Sequence, residues 1–171
     1  MPNSDNRPSD EIALTPGRTT GLEAFRGRVR EVIELAARQD ATELWFCDAD
    51  FDAWPLGERA VIDSLSAWAR PGRSLRLLAV TFDVLVRHQP RFVEWRRRYD
   101  HLIQARVCAT QHRSDLPSVV WSARACLHRL EPLHHTSVFG TEAARLIPLR
   151  QQLDEFWDAG RPAFAATTLG L

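Results

Sequence analysis

Apolar residues recur at helical spacing from Leu22 to Ala36. Leu22, Phe25, Val29, Val32, Ile33 and Ala36 share one face, and Arg26, Arg30, Glu34 and Arg38 fall toward the other. Thr20 and Glu23 have capping-box spacing at the start of this helix. The period then changes. Leu44-Trp45-Phe46-Cys47 is a short continuous apolar run, which predicts a strand near 43–47 covered on both faces. It ends abruptly in three alternating carboxylates, Asp48, Asp50 and Asp52, and Trp54-Pro55-Leu56-Gly57 turns the chain into a second helix over about 57–69. Val61, Ile62, Leu65, Trp68 and Ala69 point inward there, and Arg70-Pro71-Gly72 stops it. Leu75–Val80 repeats the buried-strand signature, and 82–100 reads as helix in two pieces broken at Gln89-Pro90. Ile103, Ala105, Val107 and Ala109 alternate with polar residues in a third strand.

Beyond a turn at 112–117 the texture changes to short strand-like runs with close turns: Val119–Trp121, Ala125–Leu127 and Thr136–Phe139. A last helix is expected from Pro148, where proline suits a first turn, to about Asp158, with Leu149, Leu153, Phe156 and Trp157 inward. Gly160 and Pro162 end it. Residues 1–18 are polar and read as a flexible leader, 19–160 as one α/β domain, and 161–171 as a small, apolar C-terminal tail. The order α-β-α-β-α-β-β-β-β-α predicts a mixed, mainly parallel sheet with an antiparallel hairpin portion and helices on both faces.

Composition narrows the chemistry. The chain has 171 residues with 22 basic and 22 acidic side chains, so no global field steers it to nucleic acid or an anionic membrane, and neither is expected as a partner. Every basic residue is arginine, which excludes any lysine amine chemistry, Schiff base or phosphate-binding lysine alike. Cys47, Cys108 and Cys126 form neither a C-x-x-C pair nor a disulfide framework and read as buried thiols of a reducing compartment. No apolar run approaches the length of a membrane span and no signal-peptide pattern opens the chain, so the expected location is the cytoplasm.

The element order, together with the texture of Glu43–Leu65, Ser74–Val80, Leu102–Ala109 and Leu149–Gly160, resembles one repeat of the phospholipase D-like superfamily. In that family a helix and a strand ending in an Asp- or Ser-rich turn are followed by two βα units, a hairpin and a closing aromatic helix. The family's phosphodiesterase chemistry depends on His-x-Lys-x4-Asp at the hairpin. The corresponding residues here are Leu116, Ser118 and Ala123, so the resemblance implies a member without that activity. The family's habit of pairing two repeats around a cleft implies a homodimer. A partner- or anionic-ligand-binding domain is the function so implied, with Arg124 and Arg129, flanking the hairpin strand, as the anion contacts.

The acidic turn offers an alternative. Alternate residues of an extended segment point the same way, so Asp48, Asp50 and Asp52 would converge on one Mg²⁺. A strand ending in Asp-x-Asp also resembles the first motif of haloacid dehalogenase-type phosphotransferases, in which Asp48 would be the nucleophile and Asp50 the acid/base. Asp52 stands where that family has Thr or Val, and its later acidic pair is missing. Without a metal, the three aspartates cap the next helix. His134-His135 would face opposite sides of a strand, so at most one joins a site with His128. Phe92, Trp95 and Tyr99 fall on one helix face among Arg91, Arg96, Arg97 and Arg98, a buried stripe with arginines outside. Ser64, Ser66, Ser118 and Ser122 lie in no nucleophile elbow, and no phosphate-binding glycine loop occurs.

Overall fold

The computed structural model describes residues 14–110 and 113–165. Their strands are β1 (Gly17–Thr19), β2 (Glu43–Asp48), β3 (Ser74–Ala79), β4 (Ile103–Val107), β5 (Ser118–Trp121), β6 (Cys126–Glu131), β7 (Thr136–Gly140) and β8 (Arg161–Pro162). The helices are α1 (Leu22–Arg38), α2 (Arg59–Trp68), α3 (Asp83–His88), α4 (Pro90–Arg98) and α5 (Ala143–Ala159). One sheet holds all eight strands in the order β1-β7-β6-β5-β2-β3-β4-β8.

Alternation along β2 sorts the core into two layers. Leu44 and Phe46 join the apolar stripe of α1, the inner faces of α2 and α4, and Leu85 of α3. Trp45 and Cys47 point the other way, onto Leu146, Leu149, Leu153 and Trp157 of α5. Helices therefore cover both faces, as expected of doubly buried strands. On the α5 side arginines and tryptophans interleave: Arg150 lies 4.7 Å from the Trp45 ring, and Arg76 lies 4.9 Å from it and 5.3 Å from Trp157. Glu43 anchors this ladder by accepting from Arg150 at 2.6 Å and from the Trp45 indole at 3.0 Å.

The sheet is mixed, and its parallel part is narrower than a mainly parallel sheet. Only β2–β3 and β3–β4 run parallel, and five antiparallel pairings surround them. Two short edge strands, unsignalled by periodicity, account for part of the difference. The sheet starts at Gly17, inside the expected leader, and closes at Pro162, inside the expected tail. The described part of the tail, residues 161–165, docks on its own domain: Ala163 donates to the Ala105 carbonyl at 3.0 Å, and Phe164 stacks on Phe82 at 4.9 Å.

Three local expectations are corrected. The Thr20/Glu23 capping box does not form: Gly21 is the N-cap of α1 at φ 105°, Thr20 Oγ1 sits 3.4 Å from Thr136 Oγ1, and Glu23 pairs with Arg26. Gly21 instead donates its N–H to the His134 carbonyl at 2.8 Å, which ties the helix start to the β6–β7 turn. Helix α5 starts five residues before Pro148, which lies inside it. The stripe Leu146, Leu149, Leu153 and Trp157 is buried across the proline, and that burial outweighs the lost backbone hydrogen bond. In α4, Phe92 and Trp95 are buried as expected, but Arg96 is buried with them, 4% exposed and paired to Asp100 at 2.5 Å. Among the described residues no helix is long and apolar enough to cross a membrane.

Candidate functional site

Strand order reverses at β2: β3 lies on one side of it and β5 on the other. Open α/β sheets bind ligands in the crevice beyond the carboxyl ends of strands at such a switch point. The C-terminal end of β2 is Asp48, 1% exposed.

Register builds a polar row outward from this residue. Cys47 lies opposite Val119, which sets Asp48 beside Ser118 of β5. Ser118 lies opposite Arg129 of β6, Arg129 opposite Ser137 of β7, and Ser137 opposite Thr19 of β1. Residues directly opposite in a ladder share a face, so all five point toward α1. The row closes on itself. Arg129 Nη2 donates to Asp48 Oδ2 at 2.7 Å, and Thr19 and Ser137 hydroxyls meet at 3.0 Å. Phe25 of α1 lids the guanidinium at 4.9 Å, and the Arg129 side chain is only 9% exposed.

The other carboxylate oxygen, Asp48 Oδ1, accepts the backbone N–H groups of Asp50 at 3.1 Å and Phe51 at 2.9 Å. Asp50 Oδ1 accepts the Asp52 N–H in turn, and Asp52 faces His88 at 3.5 Å. Phe51 has φ 61°, so the segment is a tight turn and not the extended run on which convergence of the three carboxylates rested. Asp48 and Asp50 serve successive backbone groups instead, and Asp52 faces the His88 side chain. Among the described residues no three His, Cys, Asp or Glu side chains gather in a way that holds a metal ion.

A cavity of about 570 Å³ opens at this end of the sheet, lined in part by Asp48, Asp50, Leu116, Ser118, His128 and Arg129. Leu116 and Ser118, the positions that the phospholipase D-like resemblance equates with the family's histidine and lysine, thus both line it. Two buried polar atoms of the lining, Ser118 Oγ and Arg129 Nε, have no hydrogen-bond partner among the described residues. Ala123, the third equated position, lies on the β5–β6 turn at the far end of the hairpin.

His134 and His135 occupy the β6–β7 turn rather than a strand, so the two-faces argument does not hold for them. His135 Nδ1 lies 3.2 Å from Arg129 Nη1, while His134 is held on Glu131. Burial lowers the pKa of His135, with the Arg129 charge adding to it, and burial followed by Arg145 lowers that of His128. The two expected anion contacts do not meet. Arg129 is at the cleft and Arg124 in the β5–β6 turn, five residues away along an extended strand, or about 16 Å. Sequence reasoning missed the row itself: Ser118, Ser137 and Thr19 are ordinary strand-end polar residues until register aligns them.

A larger cleft of about 660 Å³ lies beyond the acidic turn, between Arg26, Trp54, Glu58 and Arg91. Its carboxylates are engaged, Glu58 doubly by Arg30 at 2.6 and 3.0 Å and Asp52 by His88, so the cavity at β2 offers the greater unmet hydrogen-bonding capacity.

No protein-family model and no curated protein sequence matches the chain. Solved structures do. TrmBL2, described as an archaeal chromatin protein with a novel mode of DNA binding, superposes with TM-score 0.63 at 12% identity, covering 94% of this chain; this chain spans 57% of TrmBL2. Nuc of Salmonella typhimurium, a phospholipase D family member, matches with TM-score 0.53 at 12% identity, over 87% of this chain and 99% of Nuc. NucT of Helicobacter pylori matches with TM-score 0.54 at 6% identity over the same shares. The mixed sheet, its helices on both faces and these neighbours together give the chain a phospholipase D-like fold.

Proposed function

We propose that this protein is a non-catalytic phospholipase D-like domain that binds a small anionic or acceptor-rich ligand in the cleft at the end of β2, and that it works as a homodimer. One observation carries the reading. At the cleft, where the family's chemistry needs a histidine nucleophile and a lysine, Leu116 and Ser118 line the wall, and the arginine present is closed onto Asp48. Leu116 has no nucleophilic atom, and Ser118 has no basic partner to activate it among the described residues. Binding capacity remains, because Ser118 Oγ and Arg129 Nε are buried donors without acceptors and a ligand oxygen would satisfy both. A buried donor left unpaired costs about 1–3 kcal/mol, which a fitting ligand recovers.

The test has two arms. The protein is incubated with bis(p-nitrophenyl) phosphate, with no turnover above the buffer rate expected; steady release of nitrophenolate that scales with protein would overturn the non-catalytic reading. A thermal-shift screen of small carboxylates and phosphate esters then compares the wild type with Ser118→Ala, a variant expected to fold. Stabilisation by at least one compound, lost in Ser118→Ala, is the expected result. Sedimentation of the purified chain reads the dimer directly.

The neutral net charge argued against nucleic acid, but the description of TrmBL2 as DNA-binding weighs weakly the other way. DNA therefore belongs among the ligands tested.

A further inference from the structure

The opposite rim of the sheet, where β2 and β3 begin and β5 ends, carries a charge cluster outside the cleft. Asp40, at φ 54° between α1 and β2, accepts on one oxygen, Oδ1, from Arg73 Nη2 at 2.7 Å and faces Arg70 Nη1 at 3.4 Å on the same atom. Arg124, exposed on the β5–β6 turn, completes the group. The hydrogen bond from Arg73 holds the Asp40 carboxyl below its usual range, and the charges of Arg73, Arg70 and Arg124 all act in that direction. The β2–β5 register, with Trp45 opposite Trp121, carries the β5–β6 turn to the level of the chain that enters β2, so Arg124 stands on the same rim as Asp40. Two guanidinium groups pair with one carboxylate and a third stands on the same rim, three positive charges to one negative on a chain whose total is zero.

A second observation points to a ligand. The Arg73 side chain is 9% exposed, and its Nη1 is buried with no hydrogen-bond partner among the described residues. Asp40 orients Arg73 from one side without using this atom, so the guanidinium is fixed with a donor to spare. A planar arginine held in this way suits a tetrahedral oxyanion, which accepts from several N–H groups at once. Arg70, 60% exposed, and Arg124 are free to swing toward the same anion.

We infer that Arg70, Arg73 and Arg124 form a phosphate-binding site on this rim, separate from the cleft at the end of β2. The phosphate belongs either to a nucleic-acid backbone or to a free phosphorylated small molecule; the recognising chemistry is the same, and the experiment separates them. The site gives Arg124 the anion role that its distance from Arg129 denies it in the cleft.

The experiment titrates the full chain with inorganic pyrophosphate by calorimetry, and with a fluorescein-labelled 20-base-pair DNA by anisotropy at two salt concentrations. Four proteins are compared: wild type, Arg70→Gln/Arg124→Gln, Arg73→Lys, and Arg59→Gln as a control that removes an arginine charge on α2, away from the rim. The first variant alters only exposed side chains, and an unchanged thermal melt verifies its fold. The expected result is binding of at least one probe, weakened about tenfold or more in the double variant, weakened in Arg73→Lys, and unaltered in Arg59→Gln. DNA binding far tighter than pyrophosphate, with a steep salt dependence, assigns the site to a polymer backbone; comparable affinities assign it to a free phosphorylated molecule. Failure of both probes to bind, or equal weakening by Arg59→Gln, overturns the site. Neither result touches the cleft, which is read through Ser118→Ala.

Discussion

Arg129 and Asp48, 81 residues apart in sequence, form a salt bridge of 2.7 Å with side chains 9% and 1% exposed. The pair spans β6 to β2 past Ser118 of the intervening β5, so it also holds the three strands at the cleft in register.

Such a pair is asymmetric under mutation. Asp48→Ala leaves the Arg129 charge buried alone and removes the cap of the Phe51 turn, and is expected to cost about 3–5 kcal/mol. Arg129→Met strands the carboxylate and costs a similar amount. The double variant Asp48→Ala/Arg129→Met buries no charge, so its loss should fall well below the sum of the two. Urea denaturation of the four proteins gives the coupling energy, and simple additivity would mean the bridge is energetically idle.

Stability should depend on pH through two histidines. His128 and His135 both have folded pKa values lowered from 6.5, first by burial and then by Arg145 and Arg129 respectively, and for His135 Glu131 and Asp48 pull weakly the other way. Between the folded and unfolded values the unfolded chain binds more protons, so unfolding free energy rises with pH across that window. Stability is full above about 6.5 and declines as pH falls through the lower folded values. Glu58 and Glu131, lowered from 4.5, and Asp40, lowered from 3.8, lose their contributions only at more acid pH. Denaturation between pH 8 and pH 5 for wild type and His135→Gln should show a shallower slope in the variant.

Two glycines of one region should respond with opposite signs. Gly21 sits at φ 105° and ψ 149°, a backbone region that side chains disfavour, so Gly21→Ala is expected to destabilise by about 1–3 kcal/mol. Gly27 lies inside α1, and a Cβ there would meet only Arg30 Nη1 at 3.9 Å. Gly27→Ala should therefore stabilise by about 0.5–1 kcal/mol. Melting temperatures of the two variants measure both.

The acidic turn should not respond to metal. Convergence of Asp48, Asp50 and Asp52 on Mg²⁺ at 100 times its Kd would stabilise by about 2.7 kcal/mol, a shift on the order of 5–10 °C. With Asp48 engaged by Arg129 and two backbone N–H groups, and Asp50 by the Asp52 N–H, the expected shift in millimolar Mg²⁺, Mn²⁺ or Ca²⁺ is below about 1 °C. A full shift, abolished by Asp48→Asn, would restore the phosphoryl-transfer alternative with Asp48 and Asp50.

What the sequence determined by itself was everything carried by periodicity over a few turns or strand positions. The stripe Phe25, Val29, Val32, Ile33 and Ala36 is buried as read, β2 and β3 are covered on both faces, and the break at Gln89-Pro90 separates α3 from α4. These signals are local, because the same apolar pattern that drives burial also marks the face. The sites were not local. Whether Asp48 meets a metal, a backbone N–H or an arginine depends on a turn at Phe51 and on a strand 81 residues away. That Arg124 and Arg129 part company follows from the direction of a hairpin. Pro148, taken in isolation, pointed to a helix start that the structure does not show: α5 formed through it because burial of four side chains outweighs one missing hydrogen bond. Propensity and period are properties of neighbours along the chain, whereas strand register, which aligned Asp48, Ser118, Arg129, Ser137 and Thr19, exists only between segments that folding brings together.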